Sequence, residues 1–230
     1  KNMHRFFITH EEQIADEIIF SPAHSRQIAR VLRLKAGERC VVLDNRGSEL
    51  TVVLTQVGKD GCIASVIERA AAEEPRTRLL MLLSLTQREK FEWMLQKCTE
   101  IGAYAFQPVI TSRSLVQNPV EVEAKYERWR MIIREAAEQS GRGRLPELLA
   151  VANLAQAAGD AAQRYALCLI PWEDEKRNTL KDVLSGVDAE SIAVLIGPEG
   201  GFSEEEVQQA VNTGFTPVTL GKRILRMETA

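Results

Sequence analysis

The sequence has no apolar run long enough to cross a membrane. Its longest one, Leu79–Leu85, is only the length of a strand and already contains Ser84, whereas a spanning helix needs about 20 apolar residues. The first residues, Lys1–Phe7, also lack the apolar stretch of a secretory signal peptide. A cytoplasmic protein with no membrane partner is therefore expected.

Cysteine is scarce, and its spacing matches no common metal site. The cysteines are Cys40, Cys62, Cys98 and Cys168. They form no CxxC pair and have no histidine at ligand spacing, which argues against zinc sites and disulfide frameworks. We expect no metal, and we expect the cysteines to be small buried residues in a reducing compartment.

Neither sign of charge is in large excess. The 230 residues include 29 Lys+Arg and 32 Asp+Glu, which gives a net charge of −3. With 45% hydrophobic and 27% charged residues, the composition is that of a globular protein rather than a disordered, collagen-like or coiled-coil chain. Basic residues are concentrated within Ser25–Gly47 and Lys222–Arg226, so local positive surfaces are expected on this acidic chain.

The first seventy residues have the pattern of a small β-barrel. Short apolar or β-branched runs predict strands at Cys40–Asp44, Leu50–Val57 and Cys62–Ile67, with turns at Asn45-Arg46-Gly47 and Lys59-Asp60-Gly61. A short helix is predicted over Ala23–Leu32, with Ile28, Val31 and Leu32 on its buried face. The polar segment Ala70–Arg78 then reads as a linker.

After this linker, strands and helices alternate. The predicted strands are Leu79–Leu85, Tyr104–Ile110, Ala166–Ile170, Ile192–Ile196 and Pro217–Leu220. The predicted helices are Phe91–Ile101, which stops at Gly102, Val122–Gln139, and one that begins with the capping box of Ser203 and Glu206 and ends at Gly214. This order predicts an α/β domain with a parallel sheet and right-handed crossovers.

A glycine-rich loop follows the predicted strand Ile192–Ile196. Its sequence is Gly197-Pro198-Glu199-Gly200-Gly201-Phe202. Glycines let a backbone approach a ligand closely, but they also make ordinary strand-to-helix turns. The loop fits neither GxxxxGK[ST] nor GxGxxG, so the known nucleotide-phosphate motifs do not apply. Taken alone, it is more simply interpreted as a turn.

A second loop favours ligand binding over an ordinary turn. The segment after Leu220 places Lys222, Arg223 and Arg226 among the apolar residues Ile224 and Leu225. Ligands of open α/β sheets bind at the carboxyl ends of strands, and two such loops after neighbouring strands favour a binding site. The alternative is a solvated basic face from which Ile224 and Leu225 return to the core.

A third cluster lies in Glu135–Pro146. A helix stops there at Gly141 and Gly143, and Arg142 and Arg144 follow on a segment that suits contact with phosphate. The alternative interpretation is a helix C-terminus whose cations compensate the helix dipole.

The two loops together strongly resemble SPOUT-class RNA methyltransferases, and within them the RsmE family of 16S rRNA (uridine-N3)-methyltransferases. Similar segments occur along the whole chain: Met3–Phe7, His24–Gly37, Gln96-Lys97 with Glu100-Ile101-Gly102, Thr111–Ser114 and Glu135–Pro146.

This resemblance implies a fold. It implies a small PUA-like β-barrel that binds RNA in residues 1–72, followed by a SPOUT methyltransferase domain in residues 73–230 with a parallel sheet and a C-terminal trefoil knot. In the family the chain continues beyond the position of Ala230 into a C-terminal helix that completes the knot, so that helix is expected to be missing here.

The resemblance also implies an activity. S-adenosylmethionine would bind in the knot loops of a homodimer, and the methyl group would go to N3 of one uridine, uridine 1498, in the 16S rRNA of the small ribosomal subunit. The residues expected to bind the cofactor are Leu195, Gly197, Glu199, Gly200, Gly201, Leu220, Gly221, Arg223, Ile224 and Leu225. Those expected to bind RNA are Arg5, Arg30, Arg33, Arg113, Gln139, Arg142 and Arg144.

The chemistry of N3 methylation constrains the catalytic residues. N3 carries a proton and lies on the pairing edge of the base, so the base must be unpaired or turned out. The proton must be removed or the resulting anion stabilised. Arg226 is expected to stabilise the anion, with Glu199 or Glu228 as proton acceptor. The alternatives are an RNA-binding module without catalysis, an α/β enzyme that uses another adenine-containing cofactor, and a SPOUT methyltransferase that acts on another RNA.

Overall fold

Contacts within the chain divide it into two units. The structure is a computed structural model that describes residues 3–58 and 61–230. The first unit consists of Lys1–Glu74 together with Arg134–Leu145, and the second of Pro75–Ile133 and Pro146–Ala230. The predicted division into 1–72 and 73–230 treats the domains as two consecutive segments, whereas this grouping places Arg134–Leu145 with the first unit.

The first unit contains a mixed six-stranded sheet in the part of the chain that is described. Its strands are β1 (Arg5–Phe7), β2 (Gln13–Ile14), β3 (Glu17–Ile19), β4 (Arg39–Leu43), β5 (Ser48–Gly58) and β6 (Gly61–Ala71), in the order β1-β4-β5-β6-β3-β2. Only β1 and β4 run parallel. Register shifts between β5 and β6, at Thr51/Val52 and Leu54/Gln56, increase twist and curl the sheet. The predicted β-rich start is confirmed; of the predicted turn at Lys59-Asp60-Gly61, the first two residues lie outside the described residues.

The predicted helix after residue 22 is partly wrong. The structure has α1 (Pro22–Arg26), capped by Ser21, and then a π-type turn over Gln27–Val31. The N–H of Leu32 donates to the carbonyl of Gln27 at 2.9 Å. This turn is wider than an α-helical one, so residues 28 and 31 no longer share the predicted buried face. Ile28 is fully buried, but Val31 is 73% exposed.

The second unit is built on a parallel sheet, as predicted. Its strands are β7 (Arg78–Ser84), β8 (Ala105–Ile110), β9 (Glu147–Leu148), β10 (Ala152–Asn153), β11 (Leu167–Pro171), β12 (Ser191–Ile196) and β13 (Thr216–Val218). The order is β10-β8-β7-β12-β11-β13, with β9 also paired to β8. The buried run that begins at Leu80 lies in the middle of this sheet, where both faces are covered.

The helices of the second unit confirm some expectations and correct others. They are α2 (Arg88–Glu100), α3 (Pro119–Glu123), α4 (Tyr126–Ser140), α5 (Leu154–Arg164), α6 (Leu180–Leu184) and α7 (Glu204–Thr213). Helix α4 begins in the second unit, and its residues from Arg134 onward are grouped with the first. The single long helix predicted over Val122–Gln139 is wrong, because α3 ends at Glu123 and a separate helix, α4, begins at Tyr126. The capping box at Ser203 and Glu206 and the left-handed Gly214, with φ of 112°, are confirmed.

The sheet order also corrects the premise that β12 and β13 are neighbours. Strand β11 pairs with β12 on one side and with β13 on the other. Three loops therefore meet at this carboxyl edge rather than two. No helix within the described residues is both long and apolar enough to cross a membrane.

Candidate functional site

A large cavity opens at the carboxyl ends of β11, β12 and β13. Its volume is about 1250 Å³, and it is lined by residues drawn from the segments 171–179, 196–202 and 219–230, with Lys90 from α2. All of these residues belong to the second unit. The position agrees with the rule that open α/β sheets bind ligands at this edge, and the site is built on loops held by a rigid scaffold.

The glycine loop forms one wall of the cavity, and its backbone requires glycine. Gly201 has φ of +67°, a conformation that residues with a side chain rarely adopt. Its N–H donates to the carbonyl of Pro198 at 2.9 Å, and a Cβ at this position would lie 2.5 Å from Oε1 of Glu173. A Cβ on Gly197 would lie 3.0 Å from the ring of Phe202. The loop therefore presents bare backbone to the cavity.

Residues 171–179 contribute a wall of the cavity that the sequence analysis does not predict. The N–H of Trp172 donates to the carbonyl of Val218 at 3.0 Å, and the N–H of Thr219 donates to that of Asn178 at 2.8 Å. These bonds join the loop after β11 to the start of the last segment. Pro171-Trp172 directly follows the predicted strand Ala166–Ile170, but the sequence does not show that this loop reaches the cavity until β11 is placed between β12 and β13.

The last segment, residues 219–230, supplies the third wall. Met227 is 7% exposed and packs with Ile196 in the core, which anchors the segment. The carbonyl of Arg226 accepts N–H groups of Thr229 at 2.9 Å and Ala230 at 3.0 Å. Leu220 and Leu225 are half-buried, while Gly221, Arg223 and Arg226 are exposed. Ile224 is 92% exposed, so the alternative in which it returns to the core is wrong.

The two candidate proton acceptors stand in different surroundings. Oε1 of Glu199 lies 3.0 Å from Nζ of Lys90, and each side chain is 32% exposed. Burial opposes ionisation of Glu199, but hydrogen bonding and the positive charge of Lys90 outweigh it and lower the pKa of the carboxyl. Glu228 is half-buried, and no donor among the described residues reaches its buried Oε2 atom. Because a bound cation stabilises the charged form of a carboxylate and lowers its pKa, Glu199 is a weaker base than a carboxylate without such a partner.

The side chain of Leu195 does not line the cavity. It is fully buried in the core of the sheet, because successive residues of a strand point to opposite faces. The cavity begins instead at Ile196. The other expected cofactor residues, Gly197 to Gly201 and Leu220 to Leu225, all line the cavity.

The expected RNA-binding residues fall into exposed and enclosed groups. The exposed ones are Arg30, Arg33, Arg113, Gln139 and Arg144. Arg113 is held by the glycine loop, since its Nη1 donates to the carbonyl of Gly200 at 2.5 Å. Arg5 is half-buried.

Arg142 is enclosed, contrary to the expectation that its segment exposes two arginines. The residue is 6% exposed, and its Nη2 atom lies 2.7 Å from Oε2 of Glu74. A guanidinium held in this way is not presented to phosphate in solvent, so only Arg144 keeps the surface position that the sequence predicts.

Known protein families match both parts of the chain. The model of the RNA methyltransferase domain matches residues 72–230, and that of the RNA methyltransferase PUA domain matches residues 28–67. Ribosomal RNA small subunit methyltransferase E of Synechocystis is 34% identical over 99% of this chain and 74% of its own length. This chain belongs to the methyltransferase E family. The Bacillus subtilis member is 32% identical over 99% of this chain and 93% of its own length.

Solved structures agree with the methyltransferase E assignment. The Neisseria gonorrhoeae member, bound to S-adenosylmethionine, has a TM-score of 0.86 and 30% identity, and the match covers 100% of this chain and 93% of that one. A Legionella pneumophila structure in complex with the same cofactor has a TM-score of 0.88 and 30% identity, with the same coverage of both chains. The fold is therefore that of SPOUT methyltransferases of this family. No group of acidic, histidine or cysteine side chains within residues 3–58 and 61–230 could hold a metal ion.

Proposed function

We propose that this protein transfers a methyl group from S-adenosylmethionine to N3 of a uridine in 16S rRNA, uridine 1498 by resemblance to the family. The observation that carries the proposal is the cavity at the ends of β11, β12 and β13, walled by a glycine loop that requires glycine at residue 201. The relatives with this fold are named for small-subunit rRNA methylation, and two structural neighbours hold the cofactor.

The cavity suits S-adenosylmethionine. Residues Gly197 to Gly201 and Leu220 to Leu225 line it, and the three glycines of the first stretch leave backbone groups free to hold the polar edges of adenine, ribose and methionine. When bound, S-adenosylmethionine supplies a methyl group carried on a positively charged sulfur. The lining carries the carboxylates of Glu173, Glu199 and Glu228, which can offset part of that charge, beside the cations Lys90, Lys176, Lys222, Arg223 and Arg226.

Arg226 and Glu228 are the proposed catalytic residues. Arg226 is exposed and lines the cavity, so its guanidinium can bind a uracil oxygen and stabilise the anion that forms as N3 loses its proton. Glu228 is the preferred proton acceptor because Glu199 is already bound to Lys90. A carboxylate within hydrogen-bond reach of N3–H acts as a general base as the new N–C bond forms.

RNA binding is proposed for the exposed residues of the expected set, Arg30, Arg33, Arg113, Gln139 and Arg144, with Arg5 at the margin of the surface. Residues 1–72 are proposed to act as the RNA-binding domain and 73–230 as the catalytic domain. A homodimer, a trefoil knot in the last segment and a cytoplasmic location, where ribosomes are methylated, complete the proposal.

Methyl transfer can be tested directly. The protein is incubated with methyl-labelled S-adenosylmethionine and small ribosomal subunits that lack the modification, and the labelled nucleotide is located by digestion and mass spectrometry. We expect label on N3 of one uridine of 16S rRNA. Label found instead in a different RNA, when total RNA is offered, would support the alternative of a SPOUT methyltransferase that acts on another RNA. Saturable RNA binding without cofactor binding would instead support an RNA-binding module.

A further inference from the structure

Two cations from neighbouring elements hold consecutive residues of the glycine loop. Lys90, in the first turn of α2, binds the carboxylate of Glu199 at 3.0 Å across 109 residues of sequence. Arg113, in the loop after β8, binds the carbonyl of Gly200 at 2.5 Å. The glycine loop is therefore held by side chains of other elements at the two residues that precede Gly201.

The position of Lys90 is unfavourable for the helix itself. A cation in the first turn opposes the helix dipole, and the pair it forms with Glu199 is one-third exposed on each side. Pairs at such exposure add little to folding stability. The same turn contains Arg88, which binds Glu92 at 2.9 Å within α2 and does not line the cavity. Lys90 differs from Arg88 in two respects, because it lines the cavity itself and its partner Glu199 belongs to the glycine loop.

We propose that Lys90 is a positioning residue, which acts through Glu199 to hold the glycine loop in its cofactor-binding conformation. The inference rests on the proposed function, because it assigns a role in the same site. With Glu199 fixed against α2 and Gly200 fixed by Arg113, the backbone of the loop has less freedom to lose when the cofactor binds. Pre-organisation of this kind improves affinity without adding contacts.

The test compares Lys90→Met with Lys90→Arg, Glu199→Gln and the matched control Arg88→Met. By calorimetry, Lys90→Met should weaken S-adenosylmethionine binding about fivefold, the upper end for an ion pair at this exposure. KM for the cofactor should rise while kcat is nearly unchanged. Lys90→Arg should restore affinity, and Arg88→Met should leave it unaltered. The double variant Lys90→Met/Glu199→Gln should lose no more than the larger single loss.

A pH series adds a readout that a purely structural role would not move. Lys90 helps to lower the pKa of Glu199, so without Lys90 that carboxyl takes up its proton at a higher pH. Protonation of Glu199 breaks the pair only where Lys90 is present. Acidification should therefore lower the cofactor affinity of the wild type, whereas Lys90→Met, which has no pair to lose, should not show this step.

Hydrogen exchange of the free protein separates this inference from the proposed function. Amides of residues 199–201 should exchange faster in Lys90→Met and not in Arg88→Met, whether or not any cofactor binds. Unchanged exchange overturns the inference. So do additive losses in the double variant, or a fall in kcat at unchanged affinity, which would mean that Lys90 contacts the reacting base. If the wild type bound no S-adenosylmethionine, the proposed function would fail while the exchange result would still decide the role of Lys90.

Discussion

Removal of the Arg142 guanidinium should destabilise the first unit rather than only weaken RNA binding. The side chain of Arg142 is 7% exposed and that of Glu74 is 19% exposed. Nη2 of Arg142 lies 2.7 Å from Oε2 of Glu74, and Nε lies 3.1 Å from Oε1 and 3.0 Å from Oε2. Because both charges are largely withdrawn from water, deletion of the arginine leaves the carboxylate buried without its main partner.

The expected loss of folding free energy depends on the hydrogen bonds that Glu74 keeps when Arg142 is removed. Its Oε1 atom still accepts the N–H groups of Gly143 at 2.9 Å and Arg144 at 3.2 Å, so the carboxylate is not stripped of all donors. Breaking a buried ion pair costs roughly 3–5 kcal/mol, and the retained bonds favour the lower end. We therefore expect Arg142→Ala to lower the free energy of unfolding by about 3 kcal/mol.

Urea unfolding followed by circular dichroism measures this loss, with the exposed Arg144→Ala as matched control. The Nη2 of Arg144 donates to the carbonyl of Arg46 at 2.7 Å, so Arg144→Ala should lower stability by about 1 kcal/mol, well below the loss expected for Arg142→Ala. In rRNA binding across several salt concentrations, Arg144→Ala should lower the salt slope by about 1. An Arg142→Ala protein as stable as the wild type would refute the reasoning, and Arg142 would return to the set of surface phosphate contacts.

Three further predictions concern the cavity and the first unit. Gly201→Val should cost roughly 1–2 kcal/mol of stability, because φ of +67° is unfavourable for a side chain, and should abolish cofactor binding; a folded variant with wild-type calorimetric affinity would contradict the assignment of the loop. Arg226→Lys keeps the charge but loses the planar guanidinium, so single-turnover methylation should slow about tenfold or more with cofactor affinity nearly kept. Wild-type turnover in a stable variant would remove Arg226 from the chemistry, whereas a lowered melting temperature would make it a structural residue. Burial alone would raise the pKa of Glu12, but hydrogen bonds from Thr9, Ser21 and His24 hold it below the usual 4.5; the stability it contributes is therefore present above pH 4.5 and lost as pH falls below it, and Glu12→Gln should flatten acid unfolding in that range.

Local signals in the sequence determined several elements of the second unit. The apolar run at Leu79–Leu85 forms most of the central strand β7 (Arg78–Ser84), and the Ser203 and Glu206 capping box with Gly214 marks both ends of α7. Each of these signals acts within one turn of helix or one strand, where the interacting groups are close in sequence. The two loop motifs, read together, were sufficient to indicate the family and its cofactor.

The tertiary structure alone decided which loops meet and which charges remain exposed. Strand β11 lies between β12 and β13, which brings the missed wall at Trp172 into the cavity. Arg142 is enclosed by a carboxylate 68 residues away, and Glu199 is bound by Lys90 across 109 residues. Leu195 points into the core while its neighbour Ile196 faces the cavity. Strand order and charge pairing depend on groups distant along the chain, so no local pattern encodes them.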